Sequence, residues 1–300
     1  MLPLTYSLTL ALLASSSFAA PAAELCNGRA AYCDRKYAQM SFVGAHNSPF
    51  VGPLPQHNQD ISVTKQLDLG IRYLQGQTHK DPDGVLSMCH TSCQLEHAGS
   101  LTSYLATVKK WLDGHPDEVV TLLITNGDRL DIKEFDDSFG SAGVKNYIFV
   151  PPSSPQALPI DKWPTMRELI KSGKRMIVFL DYKADVKRVP YILDQYEYYF
   201  ETPFSTTDPN FRQCKIDRPP GAKENGRMYV VNHNLNVNLF GVLVPDRIRA
   251  PRTNAATGPG SIGAHAGLCH SIYKRNPNVV LVDFITMGDV FKAERTMNGV

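Results

Sequence analysis

Val119-Val120-Thr121-Leu122-Leu123-Ile124-Thr125 is an almost unbroken apolar run, without the polar alternation of a half-solvated strand. A run of this length reads as a strand covered on both faces, the signature of a parallel sheet. Arg175–Leu180 (RMIVFL) and Val279–Phe284 (VVLVDF) repeat it, and Met228–Val231 (MYVV) is a shorter instance. Met40–Ala45, Ile71–Gln77 and Val85–Cys89 also read as strands. Helices lie between them. Leu101, Tyr104, Leu105, Val108 and Leu112 fall at helical spacing, with Gly114 placed to end that helix, and Thr165-Met166-Arg167-Glu168 is a capping box opening a helix that stops at Gly173. Buried strands alternating with helices imply an α/β fold. Seven strands are visible and an eighth fits in Tyr198–Phe204, which predicts an irregular (β/α)8 TIM barrel. A doubly wound open sheet is the alternative, but neither GxGxxG nor GxxxxGK[ST] occurs.

The chain has 300 residues, with Lys+Arg 31 against Asp+Glu 29 and 43% hydrophobic residues. That supports a large core and leaves no electrostatic footprint for nucleic acid. Residues 1–23 carry no Lys, Arg, Asp or Glu; an apolar stretch at Leu8–Ala14 is followed by Ser15–Ala20. This reads as a signal peptide over residues 1–19, cleaved after Ala19 and followed by one domain over 20–300. The expectation is a secreted, extracellular, monomeric protein. Secretion makes disulfides the natural state of the six cysteines. Proximity favours Cys26–Cys33 and Cys89–Cys93, leaving Cys214–Cys269, among fifteen arithmetically allowed pairings. A zinc site has no CxxC pair to support it.

In a (β/α)8 barrel the C-terminal strand ends surround the active site. Those ends here read His46-Asn47, Gln75 and Gln77, His90, Asn126-Gly127-Asp128, Asp181-Tyr182, Asn232-His233-Asn234, and Asp283. Strand-end Asn and Asp commonly cap turns, and His79, His97, His115 and His265 read as structural or exposed. Asp283 is different: it follows four apolar residues, and a carboxylate buried there needs a partner such as a histidine. Two histidines across one pocket, His46 and His90, suit a general base and a general acid. That pair fits phosphodiester cleavage, in which an internal hydroxyl attacks phosphorus and an alkoxide departs.

Ser41-Phe42-Val43-Gly44-Ala45-His46-Asn47-Ser48, Gln66-Leu67-Asp68-Leu69-Gly70-Ile71-Arg72-Tyr73-Leu74 and Met88-Cys89-His90 resemble, in order and spacing, the X domain of phosphatidylinositol-specific phospholipase C. The nearest resemblance is to secreted, single-domain fungal and bacterial PLC-like phosphodiesterases. It implies an irregular TIM barrel in which His46 is the base that activates the inositol 2-hydroxyl. His90 would be the acid that protonates the diacylglycerol oxygen, and Asp283 the carboxylate paired with the base. Asn47, Gln75, Gln77, Asn126, Asp181 and His233 are the expected substrate-binding positions.

The sequence departs from that family at Gln75 and Gln77. In its calcium-dependent animal members these positions are acidic ligands, and in its ion-independent bacterial members an arginine stands at the position of Gln77. Two amides do not offset a hard cation's charge, so calcium is disfavoured and no cofactor is expected, although Asn47 matches the family's asparagine ligand. The charge usually set against the phosphate has no evident carrier. The expected activity is metal-independent cleavage of a phospholipid or inositol-type head group. The alternative is a weak or inactive barrel that binds an inositol phosphate or glycan. Membrane contact would be peripheral, with the aromatic stretch Tyr196–Phe204 as one candidate and ordinary strand packing as its simpler reading.

Overall fold

The computed structural model of the protein describes residues 24–300 together with Leu2; the expected leader and its cleavage point lie outside the described residues. In chain order the elements are β1 (Phe42–Ala45), α1 (Val63–Leu69), β2 (Tyr73–Lys80), β3 (Leu86–Cys89), β4 (His97–Ser100), α2 (Leu101–Asp113), β5 (Val120–Asn126), α3 (Ile132–Ser141), α4 (Met166–Lys171) and β6 (Met176–Leu180). There follow β7 (Leu193–Asp194), α5 (Gln195–Tyr198), β8 (Tyr199–Glu201), β9 (Met228–Asn232), β10 (Asn236–Leu239), β11 (Val242–Pro245), α6 (Ala250–Thr253), α7 (Ile262–Tyr273), β12 (Val279–Val282) and α8 (Val290–Asn298).

Eight strands run parallel in the order β7-β6-β5-β2-β1-β12-β9-β8 and curl into a distorted barrel. Its irregularity is a seam. No ladder among the described residues joins β7 to β8, which are linked instead by the single turn of α5. The helices begin and end as their sequences dictate. Ser100 Oγ accepts from the Ser103 N–H at the start of α2, and Thr165 and Glu168 cap each other's backbone N–H at the start of α4.

One strand differs from expectation. The segment Val85–Cys89 contributes β3, which is antiparallel to β2 and hairpinned to β4, outside the barrel wall. The reason is local. Asp81-Pro82-Asp83-Gly84 is a tight turn: Asp81 Oδ1 accepts from the N–H groups of Asp83 (3.0 Å) and Val85 (2.9 Å), and Gly84 sits at φ +78°. Five residues, 81–85, are too few for a parallel crossover, so the chain doubles back along the overhang of β2. The barrel strand missing from the reading is β7, whose two residues carry no periodic signal.

Strand side chains alternate between the two faces, and here the alternation divides the core in two. Phe42, Tyr73, Leu123, Ile177, Phe179, Tyr199, Met228, Val230, Val279 and Leu281 pack in one cluster inside the barrel. Their odd-numbered or even-numbered neighbours Val43, Leu74, Leu122, Val178, Phe200, Tyr229, Val231, Val280 and Val282 pack in the other, against the helices. The lower end is sealed by residues 26–39, closed on themselves by the Cys26–Cys33 disulfide, with the Tyr37 hydroxyl 2.9 Å from Thr121 Oγ1 and 3.2 Å from the Tyr199 hydroxyl. Gly44 faces inward where there is no room: a Cβ there would lie 2.9 Å from Leu281 Cδ2 and 3.1 Å from Tyr73 Cδ1. Gly44→Val should therefore overpack the barrel and cost about 1–3 kcal/mol, read as a lowered urea midpoint with an unchanged m-value.

Candidate active site

Carrying the alternation two residues further up each strand replaces apolar interior positions with polar ones. Tyr73 is followed by Gln75 and Gln77, Leu123 by Thr125, Phe179 by Asp181, Tyr199 by Glu201, Val230 by Asn232 and Leu281 by Asp283. Most of these side chains line one cavity of about 390 Å³ at the C-terminal mouth of the barrel, together with His46, His90 and Arg218.

His46 follows β1 on the inward parity. Its Nδ1 lies 2.8 Å from Asp283 Oδ1, and the same oxygen accepts from Asn58 Nδ2 at 2.8 Å. Asp283 is 5% exposed, which accounts for its carboxylate recruiting two donors. A carboxylate can only accept, so the His46 proton sits on Nδ1 and Nε2 is left as a base. His90 reaches the mouth from the end of β3 and stacks on Phe50, with ring centroids 5.3 Å apart. It lies inside the five-residue ring closed by Cys89–Cys93. The remaining disulfide joins Cys214 to Cys269 on α7.

The two glutamines are oriented by backbone donors. Gln75 Oε1 accepts from the Asn47 N–H at 2.7 Å, and Gln77 Oε1 accepts from the Thr91 N–H at 3.3 Å. Each oxygen is turned towards a backbone N–H and the NH2 groups remain as donors, which suits an anion. A divalent cation needs the opposite polarity, so these residues do not fit one. Among the described residues no group of three or more His, Cys, Asp or Glu side chains converges as a metal set.

The charge absent from the second strand enters at the seam. Arg218 is the single Lys or Arg in the cavity lining, and its guanidinium bonds to Glu201. Glu201 also accepts from Asn232 Nδ2 at 3.2 Å and from Gln195. Asp181 stands nearby; burial raises its carboxyl to about 6, against the pull of the Asn126 N–H that it accepts at 2.7 Å.

Asn47, Asn126 and His233 do not line the cavity. All three follow an inward residue and so point outward, buried at 0%, 0% and 1% exposure. Asn126 Nδ2 donates to the carbonyls of Leu130 and Tyr182. His233 faces His265, with Nδ1 atoms 2.9 Å apart, and stacks on Phe211; burial lowers both imidazoles, to about 3 and about 4. In Tyr196–Phe204 most rings pack as barrel wall, and only Phe204 is exposed, at 52%. Sequence reasoning missed Glu201, which the two-residue period from Tyr199 would have found, and Arg218, which no period announces.

The PI-PLC X 1 family matches residues 32–298. The chain is 70% identical over 277 residues to a "PI-PLC X domain-containing protein 1" of Arthroderma benhamiae, covering 92% of this chain and 90% of that one. It is 45% identical to an "Uncharacterized secreted protein" of the same organism, covering 92% of this chain and 64% of that one. Among solved structures, the phosphatidylinositol-specific phospholipase C of Listeria monocytogenes superposes with a TM-score of 0.57 at 14% identity, covering 89% of this chain and 95% of that one.

Asp181 supplies a test of the cavity's electrostatics. Its folded form holds its proton to about pH 6, whereas the unfolded chain releases it near the ordinary carboxyl value of about 4. Stability from this group is therefore undiminished below pH 4, falls as pH rises, and is fully lost above pH 6. Asp181→Asn keeps an acceptor for the Asn126 N–H and removes the titration. It should raise stability by about 1–3 kcal/mol at pH 7–8 and leave it unchanged at pH 3.5, measured by chemical unfolding across that range.

Proposed function

The chain belongs to the PI-PLC X family, and from that premise we propose that it is a secreted, metal-independent phosphodiesterase that cleaves the head group from a phosphatidylinositol-type lipid. The observation that carries this reading is the juxtaposition of His46, backed by Asp283, with His90 on one cavity whose amides present donors to an anion. His46 Nε2 takes the proton of the substrate hydroxyl next to the phosphodiester. That oxygen forms a bond to phosphorus as the bond from phosphorus to the glycerol oxygen breaks, and His90 delivers a proton to the departing oxygen. The products are a cyclic phosphate and diacylglycerol. Asp283 stabilises the imidazolium that forms on His46, as a buried carboxylate does for any general-base histidine. The Gln75 and Gln77 amides and the Arg218 guanidinium supply the donors and charge for the phosphate oxygens, with Glu201 and Asp181 left for sugar hydroxyls.

Secretion is supported by the residue pattern of 1–19 and by the three disulfides. Among the described residues no helix is long and apolar enough to cross a membrane. The β10–β11 hairpin supports contact with a lipid surface instead. Leu239, Phe240, Val242 and Leu243 are 42%, 106%, 62% and 44% exposed, and Ile248 just beyond is 93% exposed. Leu243 and Phe204 also line the cavity, so the apolar patch is continuous with the mouth.

Two outcomes test the proposal. Purified, oxidised protein should release water-soluble inositol phosphate from phosphatidylinositol vesicles equally with and without EDTA, and His46→Ala and His90→Ala should each lose about 10²–10⁴-fold. Absence of release from several phospholipids overturns the enzyme reading; retained binding of inositol phosphate then favours the binding-barrel alternative. Phe240→Ser should weaken sedimentation with those vesicles about tenfold, the equivalent of about 1.4 kcal/mol of apolar burial, and leave turnover of a soluble diester unchanged.

A further inference from the structure

Glu96 is a buried acid at the edge of the site with no hydrogen-bonding role in what has been described. It immediately precedes β4, and its side chain is 7% exposed. Neither carboxylate oxygen makes a full hydrogen bond within the protein. Two imidazoles flank it. His57 Nε2 lies 3.3 Å from Oε1, and His90 Nδ1 lies 3.4 Å from Oε2. His97, its neighbour in sequence, faces Asp81 instead, at 3.6 Å.

The protons on this cluster follow from its donors. The Leu54 N–H donates to His57 Nδ1 at 2.9 Å, so a neutral His57 keeps its proton on Nε2, the nitrogen nearest Glu96. On the other side an ionised Glu96 favours a proton on His90 Nδ1, leaving Nε2 as the nitrogen that exchanges protons in the cavity. The backbone builds the same relation. The His90 N–H donates to the Glu96 carbonyl at 3.2 Å, and the Glu96 N–H donates to the Ser92 carbonyl at 3.2 Å. The ring closed by Cys89–Cys93 is thereby tied to the residue that faces its histidine.

We propose that Glu96 is a positioning residue for His90, holding its proton on Nδ1 and stabilising the imidazolium that gives up the Nε2 proton to the leaving oxygen, with His57 Nε2 on the far side of the same carboxylate. This rests on the phosphodiesterase reading above. In the step itself one proton leaves His90 Nε2 for the glycerol oxygen, the phosphorus–oxygen bond pair remains on that oxygen, and the other proton stays on His90 Nδ1, facing Glu96.

An alkoxide needs that proton and a nitrophenolate does not, so the leaving group separates acid assistance from every other role. Glu96→Gln should lose about 10²-fold on phosphatidylinositol and less than fivefold on nitrophenyl inositol phosphate, while Glu96→Asp, which keeps the charge, should recover part of the lipid rate. Equal losses on the two substrates overturn the proposal. Nitrogen-15 NMR of the histidine rings decides independently of turnover and needs only the wild-type protein. Neutral His90 should carry its proton on Nδ1, and a proton on Nε2 overturns the proposal even if no diester is cleaved. If the enzyme reading fails, the Nδ1 assignment stands as evidence for the Glu96 contact alone, and turnover of neither substrate by the wild-type chain identifies that case.

Discussion

The two-residue period of the barrel strands is the constraint on which both stability and site depend. One parity supplies the rings and branched side chains that fill the barrel, and the other supplies the apolar layer under the helices. Because the period does not change along a strand, the residues that emerge at the mouth are those in line with the interior core. Gln75 stands above Tyr73, Asp181 above Phe179, Glu201 above Tyr199 and Asp283 above Leu281. A shift of one residue in any strand would exchange core for surface and carry a site residue to the outside. Fold and chemistry are thus bound by the same register, and Gly44, inward-facing with no space for a Cβ, is one position that holds it.

The same rule explains what could be read from sequence. Long apolar runs mark β5, β6, β9 and β12 because a strand covered on both faces has no polar alternation to hide in. His46, Gln75, Gln77, Asp181 and Asp283 were legible because each continues an inward parity. Asn47, Asn126 and His233 share their polarity and their place at strand ends, and each is one residue out of phase. What stayed hidden has no local signal. β7 is two residues long, Arg218 reaches the cavity from a loop, and Glu96 meets His57 across a stretch of 39 positions that no periodicity links. The Asp81–Gly84 turn was legible chemistry that outweighs the apolar run after it.

The charges of the site are distributed by burial. The deep positions under His46 hold a single carboxylate, and it is matched by two donors. The second strand carries amides whose oxygens are turned towards backbone N–H groups, so the polarity presented there is positive without a formal charge. The formal cation stands at the seam, where no ladder among the described residues joins β7 to β8, where the backbone of Arg218 bridges to Glu201 on β8, and where the Glu201 carboxylate offsets the guanidinium's desolvation.

The two imidazoles then face carboxylates from frames of different construction. His46 is hydrogen-bonded at 2.8 Å to a carboxylate on the adjacent barrel strand, so its frame is the sheet itself. His90 faces its carboxylate at 3.4 Å from a disulfide-closed ring on a hairpin that lies outside the barrel wall. Under the proposed reaction, a histidine that collects the proton of a bound hydroxyl gains from fixed geometry. In the same proposed reaction, a histidine that protonates a departing oxygen gains from a frame that is tethered but separate from the wall. The disulfide and the Glu96 contacts provide that tether, and the position of β3 outside the barrel provides the separation.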